Sequence, residues 1–279
     1  MKNKTCIITG ATSGMGLATA VSLAGMGAKL ALIGRNSEKG EAVVKSIIEK
    51  TQNPNIDFFK ADLSSIADIK KLASVLKVRY PEINILINNA GAINPKKETT
   101  IDGFELTFAV NHLAYFLLTN LLLDNLKVAP KARIVSVASI ASSYGKIYWD
   151  DLNFEKKKYE AFSAYAQSKL ANIIFTYELA NRLKGTNVTA NCLHPGMVKT
   201  RFATGMNNYF GFFWKLMNPL LITAEKGAET AIFLASSPEV EGISGKYFKE
   251  RREIKSPKLS YNIESQKRLW EISEKLTRI

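Results

Sequence analysis

Two cysteines and two histidines are all that 279 residues offer as thiolate or imidazole metal ligands, so no disulfide framework and no spaced zinc set is expected. Cys6 and Cys192 each lie inside a short apolar run, the setting of a small core residue. His112 and His194 have no further ligands at metal spacing and are read as packing or hydrogen-bonding residues, with no metal role. Long apolar runs are missing too. Met1-Lys2-Asn3-Lys4 leads directly towards Ile7-Ile8, which leaves no stretch for a signal peptide or a transmembrane segment, and the expected location is cytoplasmic. Internal repeats, low-complexity tracts and Pro/Gly-rich linkers are likewise absent. With 46% hydrophobic residues, the expectation is one domain over 1–279.

The formal net charge of +13 suggests either a polyanion-binding surface or a basic exterior that favours an anionic cofactor. Its distribution favours the second. Lysines and arginines are scattered, and the one dense run, Glu155-Lys156-Lys157-Lys158-Tyr159, carries no aromatic ladder for stacking bases. No nucleic acid is expected as a partner.

Short apolar runs at 5–9, 29–34, 56–60, 83–88, 133–137 and 188–193 read as strands. Segments at 16–24, 38–50, 65–77, 104–126, 163–183 and 225–235 repeat their apolar residues near the helical period. This alternation predicts an α/β fold, a doubly wound Rossmann-type parallel sheet with helices on both faces. Two stretches, 139–162 and 201–223, interrupt it, and both follow strand C-termini, where such folds place their ligand crevice. A helical extension is expected at about 261–279.

The first strand runs into Thr9-Gly10-Ala11-Thr12-Ser13-Gly14-Met15-Gly16 and then a helix. Glycines let the backbone approach a ligand closely, and the amides and positive dipole end of the helix suit a pyrophosphate. Gly10, Thr12, Ser13, Gly14, Met15 and Gly16 are therefore candidate cofactor contacts. At the end of the second strand, Leu32-Ile33-Gly34-Arg35-Asn36-Ser37 has no carboxylate of the kind that binds a ribose 2′-hydroxyl. Arg35, with Asn36 and Ser37 beside it, suits a 2′-phosphate, which points to NADP(H).

Tyr165 and Lys169 stand four residues apart, hence on one face of a helix. A phenol with a pKa near 10 is a poor acid/base at neutral pH, and lowering it by about 3 units means about 4 kcal/mol of stabilisation of the phenolate. A nearby ammonium, helped by an oxidised nicotinamide, supplies much of that.

Taken together, Thr9-Gly10…Gly14-Met15-Gly16, Asp62-Leu63, Asn88-Asn89-Ala90-Gly91, Asn111, Ser139, Tyr165…Lys169 and Pro195-Gly196…Thr200 resemble the short-chain dehydrogenase/reductase family. The resemblance implies that Asp62 and Leu63 border the adenine and that Asn89, Ala90 and Gly91 line the cofactor ribose region. It implies that Ser139 holds the substrate carbonyl oxygen, that Lys169 also binds the nicotinamide ribose, and that Asn111 holds a proton-relaying water. Pro195, Gly196, Val198 and Thr200 would position the nicotinamide carboxamide. Ser136-Val137-Ala138-Ser139 departs from relatives that carry two adjacent serines, the second of which matches Ser139.

Residues 110–119, 165–180 and 194–200 look most like the retinol dehydrogenase-like branch, which mostly handles lipophilic alcohols and carbonyls. Many membrane-bound members have an apolar N-terminal anchor, and no such stretch occurs here. The expected activity is an NADP(H)-dependent carbonyl reductase or alcohol dehydrogenase acting on a lipophilic substrate. The alternative is a catalytically silent NADP(H)-binding sensor or scaffold. The aromatic-rich 201–223 insertion is read as a substrate lid, or else as a contact for a partner subunit, in a possible homodimer, or for a membrane surface.

Overall fold

The computed structural model describes residues 1–198 and 221–278. Eight strands form one sheet in the order β3-β2-β1-β4-β5-β6-β7-β8. They are β1 (Thr5–Thr9), β2 (Lys29–Gly34), β3 (Ile56–Lys60), β4 (Ile85–Asn88), β5 (Ala132–Val137), β6 (Val188–Leu193), β7 (Tyr247–Lys249) and β8 (Arg252–Glu253). The central strands are apolar on both faces and buried throughout, as strands covered by helices on both sides must be. Cys6 and Cys192 are both buried in them as free thiols.

One face is covered by α1 (Gly14–Gly25), α2 (Ser37–Thr51) and α8 (Ala224–Ser236), over a core that includes Ile8, Leu23, Leu30, Ile87 and Leu234. The other carries α3 (Ile66–Arg79), α5 (Ala114–Leu121), α6 (Leu123–Val128) and α7 (Ala161–Arg182). A last helix, α9 (Ile263–Thr277), lies against α7 and α5, with Trp270 packed between Phe116 and Phe175. This second cover explains why α7 is buried along nearly its whole length.

Two features differ from the expectation. The sheet is not wholly parallel: β8 pairs antiparallel with β7. These strands hold only three and two residues, too few for a pattern of period two to stand out. The single helix expected at 104–126 is divided into α4 (Leu106–Phe108), a π-helical turn (Ala109–Leu113), α5 and α6. The π turn coincides with Asn111, whose side chain is tied to the loop after β4.

The strand order reverses between β1 and β4, so the loops leaving their C-terminal ends diverge and open a crevice there. Every residue of the candidate site that the structure describes lies on a loop or helix at this edge of the sheet.

Candidate active site

At the β1–α1 turn, Gly10 and Gly14 have φ of +66° and +54°, a conformation that favours glycine. A Cβ on Gly16 would lie 2.3 Å from the Gly10 carbonyl oxygen and 2.5 Å from the Asn89 amide nitrogen. The turn is therefore packed against the loop after β4 with no room for side chains. Thr9 joins the two loops: its hydroxyl oxygen accepts from the Asn89 and Ala90 backbone amides at 2.9 and 3.0 Å. Asn89 in turn donates to the Thr9 carbonyl at 2.8 Å.

Helix α1 begins differently from its neighbours. Asn36, Ser65, Thr223 and Asn262 cap α2, α3, α8 and α9 with side-chain hydrogen bonds, and each of those helices has an acidic residue in its first turn. Ser13 makes no such bond, and the first turn of α1 has no acid. Its amides and dipole are left for an anion.

At the end of β2, Arg35 and Asn36 are exposed, and Asn36 uses its side-chain oxygen to cap α2 through the Lys39 amide at 2.8 Å. Gly34 explains the missing acid physically, because a Cβ there would come within 2.8 Å of the Thr12 methyl group. Asp62 accepts from the Ser64 amide and hydroxyl at 2.9 and 2.8 Å, and Leu63 is buried beside it.

Ser139, Tyr165 and Lys169 come together beyond β5. Ser139 follows that strand directly and begins a 3₁₀ turn at Ile140–Tyr144, which Gly145 brings so close to α7 that a Cβ would meet the Ala166 carbonyl at 2.5 Å. The Ser139 hydroxyl hydrogen-bonds the Tyr165 phenol. One helical turn further on, Lys169 is 3% exposed, with its Nζ 5.8 Å from the centroid of the Tyr165 ring, 5.6 Å from that of Tyr115 and 2.9 Å from the Val137 carbonyl oxygen, to which it donates. Gly91 lies over this group: a Cβ on it would be 3.4 Å from both the Lys169 Nζ and the Asn111 Oδ1.

Burial governs the titration of the pair. It pushes the Tyr165 phenol up to about 12 against the opposing Ser139 hydrogen bond, and it pushes Lys169 down to about 7. The protein alone thus disfavours both charged forms, which is the reverse of the lowering that the Tyr165/Lys169 spacing suggests. The lysine is itself desolvated and shares its charge with a carbonyl, so a further positive group is needed to favour the phenolate.

Asn111 is fully buried, and its amide group is occupied. Its Nδ2 donates to the Ala92 carbonyl and to the Ser168 hydroxyl, each at 2.9 Å, and its Oδ1 accepts from the Ala92 amide at 2.7 Å. Both amide hydrogens are spent within the protein, so the side chain is a clasp between the π turn and the loop after β4. His194 accepts from the Ile140 amide at 3.1 Å and so fixes the start of the Ser139 turn. Gly196 has φ of +91°, and Val198 is buried and bridges to Ile222. Thr200 and residues 201–220 of the expected lid lie outside the described residues.

Sequence reading missed the contributions of Thr9, Tyr115, Ser168 and the Val137 carbonyl. Thr9 was visible within the glycine motif, but its bonding partners are 80 and 81 positions away. A backbone carbonyl leaves no mark in a sequence.

The comparisons agree with this geometry. A family model described as short chain dehydrogenase matches residues 4–151 and 153–209. The chain belongs to this family. Retinol dehydrogenase 13 of Mus musculus is 41% identical over 282 residues, which is 98% of this chain and 83% of that protein. Retinol dehydrogenase 12 of Homo sapiens is 40% identical over 274 residues, covering 98% and 86%. The crystal structure of an uncharacterized protein from Mycobacterium Paratuberculosis superposes with a TM-score of 0.82 at 31% identity, covering 99% of this chain and 94% of the other. This member of the short-chain dehydrogenase family is accordingly an oxidoreductase that acts on CH–OH groups of a small molecule with a nicotinamide cofactor. Among its described residues, no helix is long and apolar enough to cross a membrane.

Proposed function

We propose that the chain is an NADP(H)-dependent oxidoreductase that interconverts a lipophilic alcohol with its aldehyde or ketone and works mainly as a carbonyl reductase. The observation that carries this reading is the grouping of half-buried Ser139 and Tyr165 with buried Lys169, hydrogen-bonded through Ser139 and opening under Gly91.

The residues present fit a dinucleotide. The glycine-packed β1–α1 turn, the uncapped N-terminus of α1 and the space above Gly91 would hold the pyrophosphate and the nicotinamide ribose, and Arg35 would pair with a 2′-phosphate. When bound, the nicotinamide supplies or takes up the hydride. Ser139 holds the substrate oxygen by a hydrogen bond, and Tyr165 passes its phenolic proton to that oxygen as the carbonyl is reduced, or receives it back in the oxidation. Lys169 stabilises the phenolate left behind. Reduction is the favoured direction because cells keep NADPH reduced.

The lipophilic preference draws support from three side chains near the reacting oxygen. Ile140, Tyr144 and Phe162 are 45%, 72% and 37% exposed, and the Tyr144 and Phe162 rings lie 6.1 Å apart. Ile140 follows Ser139, and Phe162 precedes Tyr165 by one helical turn. Such a surface gains from covering an apolar chain, and the related enzymes are named for retinol. A panel of short and long aldehydes, ketones and quinones, followed by NADPH and NADH oxidation, tests the reading. Faster turnover of long apolar carbonyls with NADPH is expected. NADPH binding without turnover of any of them would point to a silent cofactor-binding scaffold.

A further inference from the structure

We infer that Asn172, held in orientation by His112, is a positioning residue for Lys169, and that His112 extends this control to the C-terminal helix α9. The inference rests on the proposed proton-transfer role of Tyr165 and Lys169.

The Val137 carbonyl oxygen accepts two hydrogen bonds, from Lys169 Nζ at 2.9 Å and from Asn172 Nδ2 at 3.3 Å. Lys169 and Asn172 are three residues apart on α7 and share a face of it. A carbonyl oxygen has two lone pairs. With Asn172 on one, Lys169 is confined to the other, the side that meets Gly91 and the Tyr165 ring. Without Asn172 the ammonium is free to slide inward along the same oxygen, away from the phenol.

His112 fixes which end of the Asn172 amide faces the carbonyl. Asn172 Oδ1 and His112 Nδ1 are both buried without a partner of good geometry, and the two side chains interact with each other. On the far side of the ring, Nε2 lies 2.9 Å from the Ser273 hydroxyl of α9, which is also 2.7 Å from the Leu269 carbonyl. A proton on Nε2 would leave a bare Nδ1 facing the bare Asn172 oxygen, two buried acceptors opposed. A proton on Nδ1 instead donates to Asn172 Oδ1, while Ser273 donates to Nε2. The Leu269 carbonyl keeps its helical partner in either case. The second arrangement satisfies Nδ1, Nε2 and the Asn172 oxygen and gives up only the Ser273 hydroxyl's bond to the Leu269 carbonyl. Val137 thus takes the donor end of the amide and His112 its acceptor end, so the two hold the amide between them, and His112 ties α9 to the lysine.

The link is insensitive to ordinary pH. His112 is enclosed by Phe108, Phe116 and Phe175, and burial pushes it down to about 3, so it stays neutral. Asn172 and Ser273, its polar contacts, carry no charge. Among the described residues, the titratable groups facing Lys169 are Tyr165 of its own helix and Tyr115 of α5.

Two measurements test the inference. With only two histidines in the chain, a ¹⁵N–¹H correlation of the imidazole rings at neutral pH should show them as opposite tautomers: His112 protonated on Nδ1, and His194, whose Nδ1 accepts the Ile140 amide, protonated on Nε2. Loss of one signal set in His112→Gln assigns them. Finding His112 protonated on Nε2 overturns the proposal whatever the enzyme does. Separately, Asn172→Leu and the isosteric Asn172→Asp should move the pH profile of alcohol oxidation to higher pH by about half a unit or more, as Lys169 loses its place beside Tyr165. Ser273→Ala should move it less, in the same direction. Lower thermal stability with an unmoved profile would make Asn172 merely structural and sink the idea. Undiminished turnover by Tyr165→Phe would instead fault the proton-transfer assignment beneath it.

Discussion

Lys169 reaches beneath Tyr165, its ammonium 5.8 Å from the ring centroid, and anchors itself on the Val137 carbonyl. Both groups are held near neutrality by burial, the phenol up at about 12 and the lysine down at about 7. A protonated phenol is the form that carbonyl reduction needs, whereas alcohol oxidation needs the phenolate. Reduction should therefore run well at neutral pH and slightly below it, while oxidation should rise with pH into the alkaline range. Tyr165→Phe should keep the fold and cofactor affinity but lower kcat by about 10²–10⁴-fold in both directions. Stopped-flow turnover beside cofactor titration checks this, and near-normal kcat in that variant would refute the role of Tyr165.

Cofactor choice is expected to depend on Arg35. Losing one charge-assisted contact with a phosphate costs about 1.5–3 kcal/mol, so Arg35→Ala should weaken NADPH binding by about one to two decades and leave NADH binding nearly unchanged. Placing an acid at Gly34 should not convert the site to NAD, because the new Cβ would meet the Thr12 methyl at 2.8 Å. Fluorescence titration with both cofactors checks each point. Equal affinities in the unmutated protein would overturn the assignment.

Two glycines separate packing from binding. Gly16→Ala forces a Cβ to within 2.3 Å of a backbone oxygen, so it should lower both thermal stability and cofactor affinity. Gly91→Ala meets the Lys169 and Asn111 side chains at 3.4 Å, an ordinary contact. Its melting temperature should stay close to that of the parent while NADPH affinity falls, because the methyl group fills the space above Lys169. Parallel melting curves and cofactor titrations of the two variants would show this contrast or its failure.

The sequence made the first six strands and their order of motifs legible, because each is a run of β-branched and apolar residues bounded by turns. The glycine turn and the Tyr165–Lys169 pair were readable for a related reason, since they depend on residue type at short spacing, whereas Ser139 was named only through the family resemblance. What stayed hidden depends on distant partners. Asn111 is named by the resemblance as the holder of a water, and its part as a clasp shows only when Ala92 is seen bonded to both ends of its amide. Thr9 looks like the end of a strand until it is found holding two amides of the loop after β4. The shared Val137 oxygen has no sequence signal, and the two-residue β8 is too short to carry a pattern.

The two buried histidines should make the fold acid-sensitive in a way that can be dissected. Burial pushes His112 down from 6.5 to about 3 and His194 from 6.5 to about 4. In the unfolded chain each takes up a proton near pH 6.5, whereas the folded protein refuses it until near those lower values. The unfolded state thus binds more protons between pH 6.5 and about 4, so stability falls as pH falls through this window, and each histidine contributes a slope of up to about 1.4 kcal/mol per pH unit. Several carboxylates add slopes of their own: those of Asp151 and Glu241, held low, act in the same direction, and that of Glu105, raised by burial, opposes them. The difference between parent and variant isolates the histidine. His112→Gln should be less stable than the parent at pH 7, where it loses a well-packed ring, but between pH 7 and pH 5 it should lose about 2 kcal/mol less than the parent does. Urea unfolding at the two pH values measures both quantities. Equal losses in parent and variant would mean that His112 takes up its proton as readily in the folded protein as in the unfolded chain, contrary to its enclosure by Phe108, Phe116 and Phe175.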